Sequence, residues 1–597
     1  MPRSPIRRAH TWGALAGLSV CALIAATSPG TATAAPPAPA VQENCPEPFP
    51  QSELTEGQKV TGLTVAHGTE PDEITGTVVG VLEDGIAPGL DMIIIRMAGS
   101  EITDPETGDV WRGIWAGMSG SPVYAEDGRL IGAVSYGLSY SPSDYAGVTP
   151  AEEMYRILDY EGAAAKAKQR AVVPDKLAAK LKRGGATTQQ VNSGFRQLPM
   201  PVTVSGLSEK RLRQANERFG RDSDRVRVGN GADPSEEPTP ITAGGNLAAS
   251  LSYGDISQVG TGTATAICDG KVLGFGHPFL LNGARGNLSM HGAKALYVET
   301  DTVDGSYKIS NPTAPIGRIS QDRTAGILGA PGELPPGVQI TSHVAATNGN
   351  ERDGSTTLTQ QSYSDDVPYI SALHLFSNLD RVVDQVGPGT GTVTWRVEMT
   401  RPDGSAITFN RTENFTSNAD ISDTVASELY DSIWQIQDNG YEKVRITDVD
   451  QEATVDDQYH AYQLDRVDRL VNGSWVRIKP QSTITINAGR TLELRARVVP
   501  RDGSIGKATT VRLSLPVGAG HAGRSGTLVV SGGASTSSTR KAQALPGYLA
   551  KLGADPRNDR VFATLTIVRS GDDWLKRVRA ETPSFTSGTQ KFTVKVK

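Results

Sequence analysis

The chain has 597 residues, room for about three or four domains. With 38% hydrophobic and 21% charged residues it can bury cores, which excludes a broadly disordered chain. A formal net charge of −6 offers no general basic face to nucleic-acid phosphates, and 65 glycines with few aromatics favour short strands and tight turns over helical bundles.

The N-terminus reads as an export signal over residues 1–35. Arg3, Arg7 and Arg8 precede the apolar run Trp12–Ala26, which is short for a bilayer span, and Ala32-Thr33-Ala34 offers a cleavage site. The expected location is secreted or extracellular, at the cell surface or free of it, by a Sec or a twin-arginine route. No later segment has about 18 unbroken apolar residues, so no membrane span is expected after signal removal. Cys21 lies in the signal; Cys45 and Cys268 remain, and a disulfide between them or two free thiols are both open.

Residues 57–160 carry short apolar runs between turns: Lys59–Val65, Ile74–Leu82, Met92–Met97, Ile114–Tyr124 and Leu130–Tyr136. That spacing predicts a small barrel. Thr149-Pro150-Ala151-Glu152 then signals a helix, with Thr149 as cap and Pro150 in first place. Residues 161–240 are rich in Lys, Arg, Gln, Ala and Ser and read as a partly ordered connector, with a short helix over Ser208–Phe219. Strands return in 241–348, a second barrel-sized block. A mixed α/β segment follows over 349–440, where Val425, Leu429, Ile433 and Ile436 mark one apolar helix face. Alternating runs over 441–597 predict a C-terminal β-sandwich region, in one or two modules. Within it, Gly518–Lys541 reads as a flexible loop apart from Leu528-Val529-Val530.

The chemistry centres on Gly117-Met118-Ser119-Gly120-Ser121-Pro122. A serine hydroxyl needs an adjacent base to act as a nucleophile, and backbone N–H groups aimed at the developing oxyanion. Glycines on both sides of Ser119 permit the sharp turn that aims those amides. The amides of Gly117 and Ser119 are the expected oxyanion hole. The strand, Asp127-Gly128 turn and return strand to Gly137 are similar to the layout after the G-D-S-G-G-P loop of trypsin-type peptidases. Met118 replaces the acidic residue of that loop, which in trypsin relatives pairs with a new N-terminus.

Together, G-M-S-G-S-P, Gly132-Ala133-Val134-Ser135-Tyr136-Gly137 and Ala146–Met154 resemble the SpoIVB-type serine peptidase family. So do Leu63–Val65, Gly68-Thr69, Ile74–Val81 and Gly274-Phe275-Gly276-His277-Pro278-Phe279. The resemblance covers about 57–160 and 260–332. It implies a mainly β protein with two trypsin-like β-barrels, permutation of their order included, followed by the sandwich region. It also implies a histidine base. His277 is the favoured base, ahead of His67, with His291, His343 and His374 behind. Asp322 is the favoured third residue; Asp104, Asp109 and a simple Ser/His dyad remain open. Ser121 is a minor alternative nucleophile.

The function expected is a secreted serine endopeptidase acting on a protein or peptide substrate through a Ser/His acyl-enzyme, without metal or other cofactor. The alternative is a catalytically inactive peptidase-like scaffold that binds at the cell surface.

Overall fold

The computed structural model describes residues 41–597 except 140, 160–167, 201, 222–225, 230, 285–286, 303–304, 360–365, 536–541 and 570–572. The predicted export signal lies outside the described residues. The first six strands are β1 (Lys59–Thr64), β2 (Asp72–Ala87), β3 (Leu90–Ala98), β4 (Pro122–Ala125), β5 (Leu130–Leu138) and β6 (Tyr145–Pro150). They pair antiparallel in the closed cycle β1-β2-β3-β6-β5-β4. Closure removes the sheet edges, and alternate residues turn inward. Val60, Ile74, Val78, Ile93, Ile95, Val123, Val134 and Val148 thus form one interior cluster. The opposite faces of β3 and β5, including Met92, Ile94 and Tyr136, pack against flanking helical segments. Every residue of β5 is buried, because both of its faces are covered.

The helix after β6, α1 (Ala151–Tyr155), begins at Pro150 with no side-chain cap. Thr149 does not cap it. Its hydroxyl instead donates to the carbonyl of Gly276, a tertiary bond of 2.6 Å that wins over the local one. The connector then supplies α2 (Asp175–Arg183), α3 (Thr188–Ser193) and α4 (Glu209–Phe219), the last capped by Ser208. It also supplies short strands β7 (Arg170–Ala171), β8 (Phe195–Gln197), β9 (Val202–Val204) and β10 (Val226–Val228).

A second barrel is built from β11 (Asn246–Gly254), β12 (Gln258–Cys268), β13 (Lys271–Gly274), β14 (Leu288–Glu299), β15 (Tyr307–Arg323) and β16 (Gly326–Pro331). Its cycle is β11-β12-β13-β16-β15-β14, closed and antiparallel. Leu247, Val272, Phe275, Met290, Ile319 and Ile327 lie in its core. The protein is therefore mainly β with two closed six-stranded barrels, consistent with a double-barrel trypsin-like fold. Cys45 and Cys268 form a disulfide that ties the segment before β1 to the end of β12.

Strands β17 (Val338–Ala346) and β18 (Glu351–Leu358) continue the second barrel's sheet through the β11–β18 pair. They are joined by β19 (Gly389–Thr400), β20 (Ala406–Ser417) and β21 (Arg445–Asp456), with helices α5 (Asp366–Val383) and α6 (Ile421–Gln437) packed over them. Val425, Leu429, Ile433 and Ile436 are the buried face of α6. The residues from 441 do not all enter the sandwich. β21 pairs with β17 and β19, since its alternating apolar residues Ile446, Val449, Ala453 and Val455 are buried under the helices. From Tyr462 two sheets enclose a single core of residues such as Leu494, Leu528, Leu565 and Phe592, one module rather than two. The apolar run Leu528-Val529-Val530 lies in a strand of that sandwich, Ser525–Gly532, which also takes in flanking residues expected to be loop and is paired on both edges. Among the described residues no helix is long and apolar enough to cross a membrane.

Candidate active site

Ser119 lies in the turn that leads into β4, and its shape is held by both barrels. The Gly120 amide donates to Val134 O at 2.8 Å, and Val134 N donates to Ser121 O at 3.0 Å, fixing the turn to β5. From the second barrel, Thr263 N donates to Ser119 O at 2.8 Å. The hydroxyl of Thr263 donates to Gly117 O at 2.9 Å, and that of Thr265 to Gly120 O at 2.7 Å. Three carbonyls of the turn are thereby drawn towards β12. Gly117 and Gly120 adopt φ of 104° and 100°, a left-handed region in which a side chain is strained. Among the described residues the amides of Gly117 and Ser119 donate to no protein acceptor.

His277 comes from the turn after β13. Phe275 and Gly276 both have φ of 68°, and the non-glycine Phe275 is the strained member. The turn survives because the first barrel grips it. Thr149 donates to Gly276 O, and Ser135 Oγ lies 2.7 Å from Thr149 Oγ1. Since the Thr149 proton is committed to the carbonyl, Ser135 is the donor of that pair. A Cβ on Gly276 would approach Ala133 and Ser135 Cβ to 3.1 Å.

The two turns bring His277 Nε2 to 2.8 Å from Ser119 Oγ. Nδ1 lies 2.8 Å from the carbonyl oxygen of Pro278, an obligate acceptor, so the proton belongs on Nδ1. Nε2 is left with its lone pair and accepts from Ser119 Oγ–H. Gln197 of β8 rests on the same edge of the ring: its amide nitrogen donates to Pro278 O at 3.3 Å and lies 3.0 Å from Nδ1, which keeps its own proton and does not accept from it. Burial pushes the imidazole pKa down to about 4, partly offset by the Pro278 carbonyl. At neutral pH the ring is uncharged and able to take a proton. Ser119 and His277 are both fully inaccessible to solvent.

Asp322 does not orient the imidazole. Its carboxylate accepts from the backbone amides of Phe279 at 2.8 Å, Leu280 at 2.7 Å and Asn282 at 3.2 Å. Burial raises its pKa against those bonds. It lies in the same block as His277, but it anchors the loop beyond the histidine, and a backbone carbonyl takes the place expected for an acid. Asp104 is a half-buried turn carboxylate accepting from Glu106 and Thr107 amides, and Asp109 is exposed. His67 and His343 are exposed. His291 and His374 are buried elsewhere, bonded to Ser250 and Thr313 and to Thr356 and Ser342. The Ser121 hydroxyl donates to Thr64 Oγ1 at 2.8 Å. Met118 is buried among Trp115, Val123 and Val134, so no ion pair replaces the trypsin-type acid.

Sequence reasoning missed Ser135, Thr149, Gln197, Thr263 and Lys308. Lys308 Nζ is fully buried and donates to Asn246 Oδ1 at 2.7 Å, and burial draws its pKa down to about 7. Its backbone amide donates to Ala116 O, and a Cβ on Gly117 would sit 2.8 Å from Lys308 Cβ. No local pattern distinguishes these residues from ordinary strand positions. Comparison of the chain with protein-family models, curated proteins and solved structures gave no match.

Proposed function

We propose that the chain is an exported serine endopeptidase of the SpoIVB type. The observation that carries this reading is the 2.8 Å approach of His277 Nε2 to Ser119 Oγ, with the Nδ1 proton held by the Pro278 carbonyl. In the reaction Ser119 Oγ bonds to the scissile carbonyl carbon as its proton passes to Nε2. The negative carbonyl oxygen is received by the Gly117 and Ser119 amides. The imidazolium returns its proton to the amine nitrogen as the C–N bond breaks. Water then repeats the sequence on the acyl-enzyme, releasing the carboxylic acid and restoring Ser119. The Cys45–Cys268 disulfide and the N-terminal signal pattern support an oxidising, exported setting.

The complete burial of both groups favours a second reading, a non-catalytic scaffold that binds partners. A fluorophosphonate probe followed by peptide mass mapping separates the two. An adduct on Ser119 is expected, reduced at least about 100-fold in His277→Ala and retained in Ser121→Ala. Natively folded protein that stays unlabelled on prolonged incubation supports the scaffold.

A further inference from the structure

Burial of the Ser119–His277 pair has an identifiable source. β4 pairs with β5 as far as Ala133 and the Ser119 turn bonds to Val134, so only the β5 edge beyond Val134 is left without its barrel neighbour. The connector fills it. β8 runs antiparallel to this edge with Tyr136 opposite Gln197, Gly137 opposite Arg196 and Leu138 opposite Phe195. The pairing extends one residue further, where Leu198 N donates to Ser135 O at 3.0 Å. Backbone bonding to a vacant edge, with side chains entering flanking pockets, is how sheets capture extended peptides.

The side chains have matching places. Gln197 contacts His277 Nδ1 and Pro278 O. Leu198 is 5% exposed and closes the core cluster that includes Trp115, Met118, Val134 and Ala146. Its Cδ2 lies over Gly137, 3.4 Å from where a Cβ would be, at ordinary packing distance. The turn bearing Ser119 is bonded to Val134, the residue before the one that receives Leu198. Pro199, next in the chain, is exposed.

Resting on the hydrolase reading, we propose that Phe195–Leu198 occupies the peptide-binding edge of the active site. It holds the enzyme latent and also reports its preference: an extended peptide with a leucine-sized apolar side chain in the Trp115–Met118 pocket. Activation then requires this strand to leave β5, and a substrate replaces it in the same register.

The test uses full-length chains: wild type, Leu198→Asp and the milder Leu198→Gly, each checked by circular dichroism. A fluorescein-labelled peptide of the sequence Gly194–Met200 is titrated by anisotropy, and Ser119 labelling by a fluorophosphonate is timed in parallel. Expected are peptide binding at least 10-fold tighter to folded variants than to wild type, and labelling at least 10-fold faster. Amide exchange on wild type serves if neither variant folds: protection of Leu198 N–H is expected, and rapid exchange overturns the proposal. Equal or absent peptide binding in all folded chains overturns it whether or not Ser119 labels. Peptide binding by the variants without labelling of any chain keeps the occupied edge and removes the hydrolase reading instead.

Discussion

Gly120 makes plain how little freedom the nucleophile turn has. At φ of 100° a Cβ would run into the Thr263 carbonyl and come within 2.5 Å of Phe275 N. Both neighbours are backbone and cannot swing aside. Gly120→Ala is expected to cost at least about 3 kcal/mol, strain and overpacking together, and to displace Thr263 from Ser119. Chemical denaturation with an unchanged midpoint would contradict that reading. The turn that favours glycine here was legible in the sequence because it is local; the approach of Thr263 and Phe275 was not. The Nδ1 partner of His277 was not, because a backbone carbonyl carries no residue-type signal, and any residue at 278 would present one.

Among the elements, the loop after His277 depends on Asp322 at the far end of β15. The buried carboxylate gathers three backbone amides of that half-buried loop. Asp322→Asn keeps the shape but turns an NH2 group towards N–H donors. A loss of about 2–4 kcal/mol is expected from the charged bonds. Ser119 labelling should slow by at least about 10-fold as the histidine turn loosens. Unchanged labelling by a chain that melts earlier would restrict Asp322 to stability. An element can also be misread when its partners are distant. The residues flanking Leu528-Val529-Val530 have a glycine-rich setting that suggests a loop, yet Gly526, Thr527 and Ser531 are paired with strands on both sides, reached only by long-range pairing. The reverse holds for Thr149, whose capping signature is local and loses to a carbonyl 127 residues away.

At the scale of the molecule, buried histidines couple folding to pH, three of them strongly. Burial pushes His277, His291 and His374 down to about 4 each, from an ordinary value of 6.5. Above pH 6.5 both folded and unfolded chains hold them neutral. As pH falls from 6.5 the unfolded chain takes up protons that the folded chain refuses, and stability drops. The loss is complete once pH passes below about 4. Each group contributes about 1.4 kcal/mol per pH unit within the window. The imidazole C–H resonances of these rings should show no titration in the folded protein between pH 6.5 and 5, and titration of all three near 6.5 would show the rings to be solvated.

By itself the sequence determined what depends on near neighbours. The apolar alternation of the barrel strands, the glycine turn around Ser119 and the buried face of α6 are all set by residues a few positions apart. Only the tertiary structure decided which imidazole meets Ser119 and which group holds that imidazole's other nitrogen. It alone decided that the connector closes over them. Those outcomes depend on backbone atoms and on residues 158 and 80 positions apart along the chain, where closing two barrels and pairing one vacant edge set the distances.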